Sequence, residues 1–153
     1  MDLRDSLNRY YYDMTVGDLI QLNRTGGGEL SYNSMMYLDV ISYQQMQGGC
    51  TASTLAATLH ITKPAATMKV NELVKTGLVV KTRSEKDRRV IYLTVSPVVA
   101  EALRAYDRPF ERAAQAVEKQ FTKEEIEVFC HILDAFSAEF MKGFSYGTAG
   151  KII

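Results

Sequence analysis

The side chains that most often perform catalysis or bind metals are few in this sequence. Histidine occurs at His60 and His131, and cysteine at Cys50 and Cys130. The adjacent pair, Cys130 and His131, would leave different faces of a helix, so it lacks the spacing of metal ligands. We therefore predict no metal site. Two isolated cysteines also indicate reduced thiols rather than a disulfide framework.

Two glycine motifs resemble catalytic loops but lack the surroundings that such loops need. Residues 143–147, Gly-Phe-Ser-Tyr-Gly, fit the Gly-x-Ser-x-Gly pattern of a nucleophilic serine, which requires a preceding strand and a following acid and histidine. A helix is predicted before this motif, and residues 148–153 contain neither partner. The glycines at 26–28 lack the Lys-Ser/Thr of a phosphate loop. We therefore predict that the chain is not an enzyme and needs no cofactor.

The remaining candidates for chemistry are cations gathered in one region. The formal net charge of the chain is zero, but residues 60–95 carry eight Lys or Arg and three acids, an excess of +5. Residues 1–59 have a net charge of −3 and residues 96–153 a net charge of −2. A basic region within an otherwise acidic chain is the charge distribution of a module that binds phosphates.

These cations lie on a segment, residues 51–94, whose hydrophobic period changes twice. The period is helical over residues 52–59 and again over about 62–77, with Pro64 in the first turn of the second helix. After residue 77 the period becomes two, which predicts two strands around the polar tip at 83–89. Helix, turn, helix and basic hairpin is the winged helix-turn-helix plan, in which the second helix enters the DNA major groove.

The second helix has distinct inner and outer faces. At about 100° per residue, Ala66, Val70 and Leu73 share a face that should pack inward. His60, in the turn before this helix, belongs to a type that tolerates positive φ. The outer face, its flanks and the hairpin tip form the predicted DNA-binding set: Thr62, Lys63, Pro64, Ala65, Thr67, Met68, Asn71, Lys75, Arg83, Lys86, Arg88 and Arg89.

The residue types in this DNA-binding set predict how each side chain would contact DNA. Lys63 and Lys75 should contact phosphates, and the apolar side chains should touch thymine methyl groups. Asn71 is the side chain on this face that could form two hydrogen bonds with adenine. Apolar contact and DNA shape then favour an A·T-rich operator. In an extended hairpin tip, Asp87 and Arg89 would share a face and pair, while Arg88 would leave the other face; the alternative is a merely solvated tip.

Several short motifs in this segment are shared with one protein family. They lie in both helices, at the turn and in the hairpin: Leu55-Ala56, Leu59, Ile61-Thr62-Lys63, Leu73, Lys75-Thr76-Gly77-Leu78-Val79, Asp87-Arg88-Arg89 and Leu93-Thr94. On these residues the chain resembles the MarR family of bacterial transcription regulators. The Asp-x-Arg hairpin followed by Leu-Thr is the specific part. Three positions depart from the family pattern. Met68 stands where the family commonly has a basic residue, Lys69 where it commonly has an apolar residue, and Pro97 where it usually has glycine.

The resemblance implies partners as well as a fold. In the family, N- and C-terminal helices interlock two chains, the arginine matching Arg89 helps to place the hairpin on DNA, and the aspartate matching Asp87 steadies it. Small anionic or phenolic effectors bind in a crevice beside the dimer helices, which here could be lined by Tyr11, Met14, Met36 and Tyr37. For each of these side chains the alternative is core or interface packing. Some relatives sense oxidants through cysteine, so Cys50 has a redox interpretation beside that of a buried thiol.

Apolar seams at helical spacing occur near both ends of the chain. Residues 3–14 carry one in an amphipathic helix whose pattern loses clarity near Gly17 and that should end at residues 26–28. After the hairpin, residues 99–117 carry a heptad seam in which Pro109 should kink the helix or split it in two. Before the winged segment, another helix should begin at Ser31 or Asn33 and run to about Gln47. The last helix of the chain should begin at the capping box Thr122 to Glu125.

We therefore predict one chain, residues 1–153, of mostly α structure with a small β-hairpin (α+β). Residues 1–30 and 97–142 are predicted dimerisation helices, residues 31–95 the winged helix-turn-helix DNA-binding region, and residues 143–153 a tail. No signal peptide or run approaching the roughly 18 apolar residues of a membrane span is present, which predicts a cytoplasmic protein without a membrane partner.

The leading hypothesis is a homodimeric, ligand-responsive repressor that binds a pseudo-palindromic operator in double-stranded DNA. The alternative is a winged-helix protein-interaction module or co-regulator that does not bind DNA itself. The absence of Arg and Gln from the second helix gives this alternative some support.

Overall fold

A computed structural model of the protein describes residues 1–24 and 30–145. The elements in chain order are α1 Leu3–Arg24, α2 Tyr32–Met46, α3 Ala52–Leu59, α4 Lys63–Lys75, β1 Val79–Arg83, β2 Ile91–Val95, α5 Pro97–Glu118 and α6 Lys123–Lys142. This order confirms the predicted mostly-α fold with one hairpin. The chain divides into two compact units, residues 1–106 and residues 107–153. The predicted sub-boundaries for dimerisation helices and tail stay predictions.

The core of the first unit joins both helices of the helix-turn-helix to the hairpin. It contains Leu38, Ile41, Cys50, Leu55, Val70, Leu73, Val79, Leu93, Val95 and Val99. Burying each large aliphatic side chain stabilises the fold by about 1.5–3 kcal/mol. Ala66 and Ala56 are also buried, on the two helices of the motif. The predicted inner face of α4, Ala66, Val70 and Leu73, is thereby confirmed.

Local signals fix where the helices of this unit begin and end. The Ser31 side chain accepts the N–H of Ser34 at 3.1 Å to cap α2, and that of Thr62 accepts the N–H of Ala65 at 3.2 Å to cap α4. His60 takes the left-handed conformation, φ 53°, between α3 and α4. Its backbone can reverse direction there at little cost because histidine tolerates this region better than most residues.

Two helices continue past residues that often interrupt helices. α1 continues through Gly17 to Arg24, since one glycine in a helix interior costs only about 1 kcal/mol. α5 is one helix with Pro109 inside it, so of the two predicted outcomes, a kink or a split, the split does not occur. A proline removes a single backbone hydrogen bond, and the turns on either side sustain the helix. The predicted end of α1 at residues 26–28 lies outside the described residues, as does most of the predicted tail.

The second unit is a helical segment with little buried surface. The capping box of α6 is present: Thr122 Oγ1 accepts the N–H of Glu125, and Glu125 Oε2 accepts the N–H of Thr122. No residue of α6 is buried within residues 123–142, and its apolar side chains, such as Phe136 and Phe140, remain exposed. The rings of these two phenylalanines stack at 6.3 Å between centroids. In the part of the chain that the structure describes, no helix is both long and apolar enough to cross a membrane.

Candidate nucleic-acid interface

The outer face of α4 carries the side chains that the sequence assigned to DNA bases. Thr62 caps the helix and Pro64 lies in its first turn, so the helix begins where predicted. A surface depression on this face is lined by Lys63, Pro64, Thr67, Met68 and Asn71. Met68 is 72% exposed, although an apolar side chain of this size gains by burial. The face therefore offers apolar contact to a partner and one amide.

A groove of about 360 Å³ separates α4 from the hairpin, which we call the wing (residues 79–95). The groove is lined by Thr51, Ala52, Ser53, Lys63, Thr67, Val70, Lys81, Arg89, Val90, Ile91 and Leu93. These residues include three cations and no acid. The α3 N-terminus also contributes its partial positive charge to this groove. Its electrostatics suit a polyanion.

The wing is fixed to the rest of the unit along one side of β2, while the other side of β2 pairs with β1. β1 and β2 pair antiparallel with Lys81 opposite Leu93 and Arg83 opposite Ile91. On the other side, the N–H of Leu93 donates to the carbonyl of Cys50 at 2.8 Å. The N–H of Val95 donates to Oε1 of Gln45 at 3.1 Å. The wing therefore has a defined position relative to α2 and the helix-turn-helix.

At the tip of the wing, the predicted pairing of Asp87 with Arg89 is present, but its geometrical reason was wrong. The tip is a turn rather than an extended strand, closed by the N–H of Val90 donating to the carbonyl of Asp87 at 2.9 Å. Asp87 Oδ1 accepts from the backbone N–H of Arg89 at 3.0 Å and from its Nε at 3.1 Å, and Oδ2 accepts from Nη2 at 3.1 Å.

This ion pair shifts both groups towards their charged forms. The side-chain bond from Arg89, and then its backbone bond, lower the pKa of Asp87, while the bond to Asp87 raises the pKa of Arg89. The Arg89 side chain is nevertheless 91% exposed. Its guanidinium is therefore oriented by one carboxylate and still accessible to a partner.

Among the other predicted cations, one supports the tip of the wing and three are exposed to solvent. Arg83 Nη1 donates to the carbonyl of Arg88 at 3.2 Å, so this guanidinium supports the tip itself. Lys75, Lys86 and Arg88 are exposed. Thr62 and Ala65 form the N-cap hydrogen bond of α4, which ties these two predicted contacts to helix geometry as well.

Lys81 is the residue of this surface that sequence reasoning missed. Its Nζ donates to Oδ1 of Asn71 on α4 at 2.6 Å. The available signal was the strand period: Val79 is buried, and Lys81, two residues on, shares its face of β1. The contact spans ten residues between a helix and a strand, so no local pattern specified it.

The predicted effector residues lie on α1 and α2. Tyr11, Met14 and Met36 are exposed. Tyr37 also contacts α4: Lys69 Nζ lies 5.5 Å from the centroid of the Tyr37 ring and donates to Oγ of Ser34 at 3.0 Å. These contacts explain how a lysine fits at position 69, which is commonly apolar in the resembled family. The aliphatic stem of Lys69 is largely covered, while its ammonium is hydrogen-bonded.

Cys50 has the properties of a buried structural thiol. It is 0% exposed, and burial raises its thiol pKa, against a smaller lowering by a hydrogen bond from Thr54. A reactive thiol needs exposure and a lowered pKa, so the redox interpretation loses its physical basis. Among residues 1–24 and 30–145, no group of three His, Cys, Asp or Glu is arranged to hold a metal ion.

Comparisons with known proteins agree with this fold. The model of the MarR family matches residues 29–90. Streptococcus pneumoniae FabT in complex with DNA is 23% identical with a TM-score of 0.61, over 92% of this chain and 99% of that one. The S. aureus MepR–DNA complex is 16% identical with a TM-score of 0.57, over 91% and 98%. S. aureus MepR bound to ethidium bromide is 16% identical with a TM-score of 0.60, over 92% and 97%. These structures share the fold. A sequence comparison with curated proteins finds no match.

Proposed function

We propose that this chain, whose residues 29–90 match the model of the MarR family, is a transcriptional regulator of that family that binds double-stranded DNA. The observation that carries the proposal is the groove between α4 and the wing, where Lys63, Lys81 and Arg89 converge and no acid lines the surface. α4 would enter the major groove while the wing contacts the neighbouring backbone or minor groove. The structurally similar FabT and MepR form complexes with DNA, which supports a DNA partner for this chain.

The proposed assembly is a homodimer on a pseudo-palindromic operator. Its support is the apolar surface that α1 and α6 each leave exposed, since neither helix contains a buried residue in the described ranges. A second copy would cover such surfaces and present two copies of α4 to successive half-sites. The apolar outer face of α4 supports an operator that is mainly A·T-rich.

The proposed regulation is relief of repression by a small anionic or phenolic effector, acting in the cytoplasm. Exposed Tyr11, Met14 and Met36 on the first two helices support a site there. The ethidium complex of MepR supports the general idea that this fold accepts an aromatic ligand. Tyr37 would transmit binding to α4 through its contact with Lys69.

Salt-dependent binding to duplex DNA tests the proposal. The logarithm of the binding constant should fall linearly with the logarithm of salt concentration, with a slope of about −0.9 per neutralised phosphate. Lys63→Ala and Lys75→Ala should each weaken binding to all duplexes alike and reduce the slope by about one phosphate equivalent. Lys119→Ala, an exposed lysine outside the winged segment, is the matched control. If the binding constant for duplex DNA did not depend on salt concentration, the protein-interaction alternative would be favoured.

A further inference from the structure

The wing contributes a side chain directly to the outer face of α4. β1 packs its buried Val79 into the core, and Lys81 on the same face reaches past the core to α4. There Lys81 Nζ donates to Oδ1 of Asn71 at 2.6 Å, a short, charge-assisted hydrogen bond. Both residues are exposed, so neither is hidden from a ligand that approaches α4.

This contact determines which hydrogen-bonding groups Asn71 can offer. A lysine ammonium has three donors and no acceptor, so the amide oxygen must face Lys81 and the amide nitrogen must face away. Nδ2 then offers two N–H donors to a partner, and Nζ retains two further donors beside it. The pair Asn71 and Lys81 therefore presents a surface of donors, because one lone pair of the amide oxygen is used by Lys81 and the ammonium lies beside the other.

From this geometry we propose that Asn71 and Lys81 act together as a specificity-determining unit that selects guanine over adenine at one position of each half-site. The inference rests on the proposed DNA-binding function. Guanine presents two adjacent acceptors, N7 and O6, in the major groove, which match two neighbouring donors. Adenine presents N7 beside the N6 amino group, and that donor would meet the ammonium of Lys81.

The inference revises the role of Asn71 without changing the rest of the operator. An isolated asparagine pairs with adenine because its oxygen accepts from N6 while its nitrogen donates to N7. Here the oxygen is bound by Lys81. The apolar side chains around it, Pro64, Thr67 and Met68, keep their preference for thymine methyl groups. We expect a single G·C pair within each otherwise A·T-rich half-site.

The test is in vitro selection of duplexes from a random library by the full chain, followed by affinity measurements on matched duplexes that carry G·C or A·T at the selected position. Wild type should prefer guanine there by about tenfold, the scale of one bidentate contact. Lys81→Met should lose this preference and favour adenine at the same position, because it frees the amide oxygen. Lys81→Arg keeps a donor beside the amide and should retain guanine.

Two controls separate base selection from general charge or structural effects. Lys75→Met also removes one positive charge, from α4 rather than from β1, and should weaken binding to both duplexes equally. Asn71→Ala should abolish the discrimination, and adding Lys81→Met to it should change the base preference no further. If Lys81→Met only weakens binding to all duplexes alike, Lys81 is a phosphate contact and the inference is wrong. If wild type binds no duplex, both the proposed function and this inference fail.

Discussion

At the scale of single residues, Asp87 shows how an acid can assist a basic surface. It costs the wing one unit of positive charge, yet it holds the guanidinium of Arg89 through two hydrogen bonds and the backbone N–H of the same residue through a third. Holding a long side chain in one conformation before binding reduces the entropy lost on binding. A planar guanidinium also suits a narrow A·T minor groove, where negative potential is concentrated.

We therefore predict that Arg89→Ala lowers DNA affinity by more than about 1 kcal/mol, the scale of a lost charge-assisted contact. Asp87→Ala should cause part of this loss because it frees the arginine. Electrophoretic shift assays on one operator duplex measure both effects, with thermal melting as the check that folding is intact. Wild-type affinity for both Arg88→Ala and Arg89→Ala would show that the hairpin does not bind DNA.

The buried thiol of Cys50 leads to a pH prediction. Because burial raises its pKa in the folded state, the thiol supports folding fully below the unfolded pKa of about 8.5. This contribution is lost as the pH rises through the higher folded pKa. The free energy of unfolding should thus decline above about pH 8.5 more steeply in wild type than in Cys50→Ala.

Alkylation gives an independent measurement of the same thiol. Near pH 7, iodoacetamide should modify exposed Cys130 quickly and Cys50 only as the chain unfolds, because a thiolate is the reacting species. Mass spectrometry of peptides over time distinguishes the two sites within one sample. Equal rates for Cys50 and Cys130 in folded protein would contradict the buried assignment and restore the redox interpretation.

At the scale of elements, the junction before α3 depends on one glycine that lies against the wing. Gly49 has φ +110°, and a Cβ there would lie 2.7 Å from Cε1 of Tyr92 in β2. An alanine would therefore suffer backbone strain and a collision at once. Since the neighbouring Cys50 is hydrogen-bonded to the same strand, backbone strain at Gly49 would act on the wing as well.

Gly49→Ala should destabilise the fold by about 1–3 kcal/mol, the usual cost of a strained backbone position, and should weaken DNA binding through the wing. Chemical denaturation measures the first effect. Gly77→Ala is a matched control with strain alone, because Gly77 has φ +76° and nothing within 4 Å of an added Cβ. If Gly49→Ala and Gly77→Ala are equally destabilised, the collision with Tyr92 has no energetic weight.

Local chemistry explains which elements were predictable. The N-caps at Thr62 and Thr122, and His60 at the turn, act within a few residues of their own position. The behaviour of α5 at Pro109 was not predictable in the same way, because one lost hydrogen bond competes with the stability of the whole helix. The contact between Asn71 and Lys81 depends on how β1 packs against α4, which no sequence window contains.

At the scale of the whole molecule, the exposed seam of α6 predicts self-association. Phe136→Asp would place a charge in that seam, and desolvating it in a dimer should cost several kcal/mol or prevent assembly. Sedimentation equilibrium of wild type and variant measures the change. Ala138→Asp adds the same charge on another face of α6 and should leave the mass unchanged. Monomeric wild type would remove the dimer from the proposal.

The pairing of the wing also bears on aggregation. β2 is bonded on both sides, to β1 and to Cys50, whereas no strand among the described residues pairs with the outer edge of β1. Such an edge can recruit strands from other molecules unless charge opposes it. Lys81 and Arg83 lie on this edge strand, so the lysine proposed to act on DNA and the arginine that supports the tip would also keep DNA-free protein from forming intermolecular sheets. Neutralising both positions should lower the concentration at which the protein precipitates.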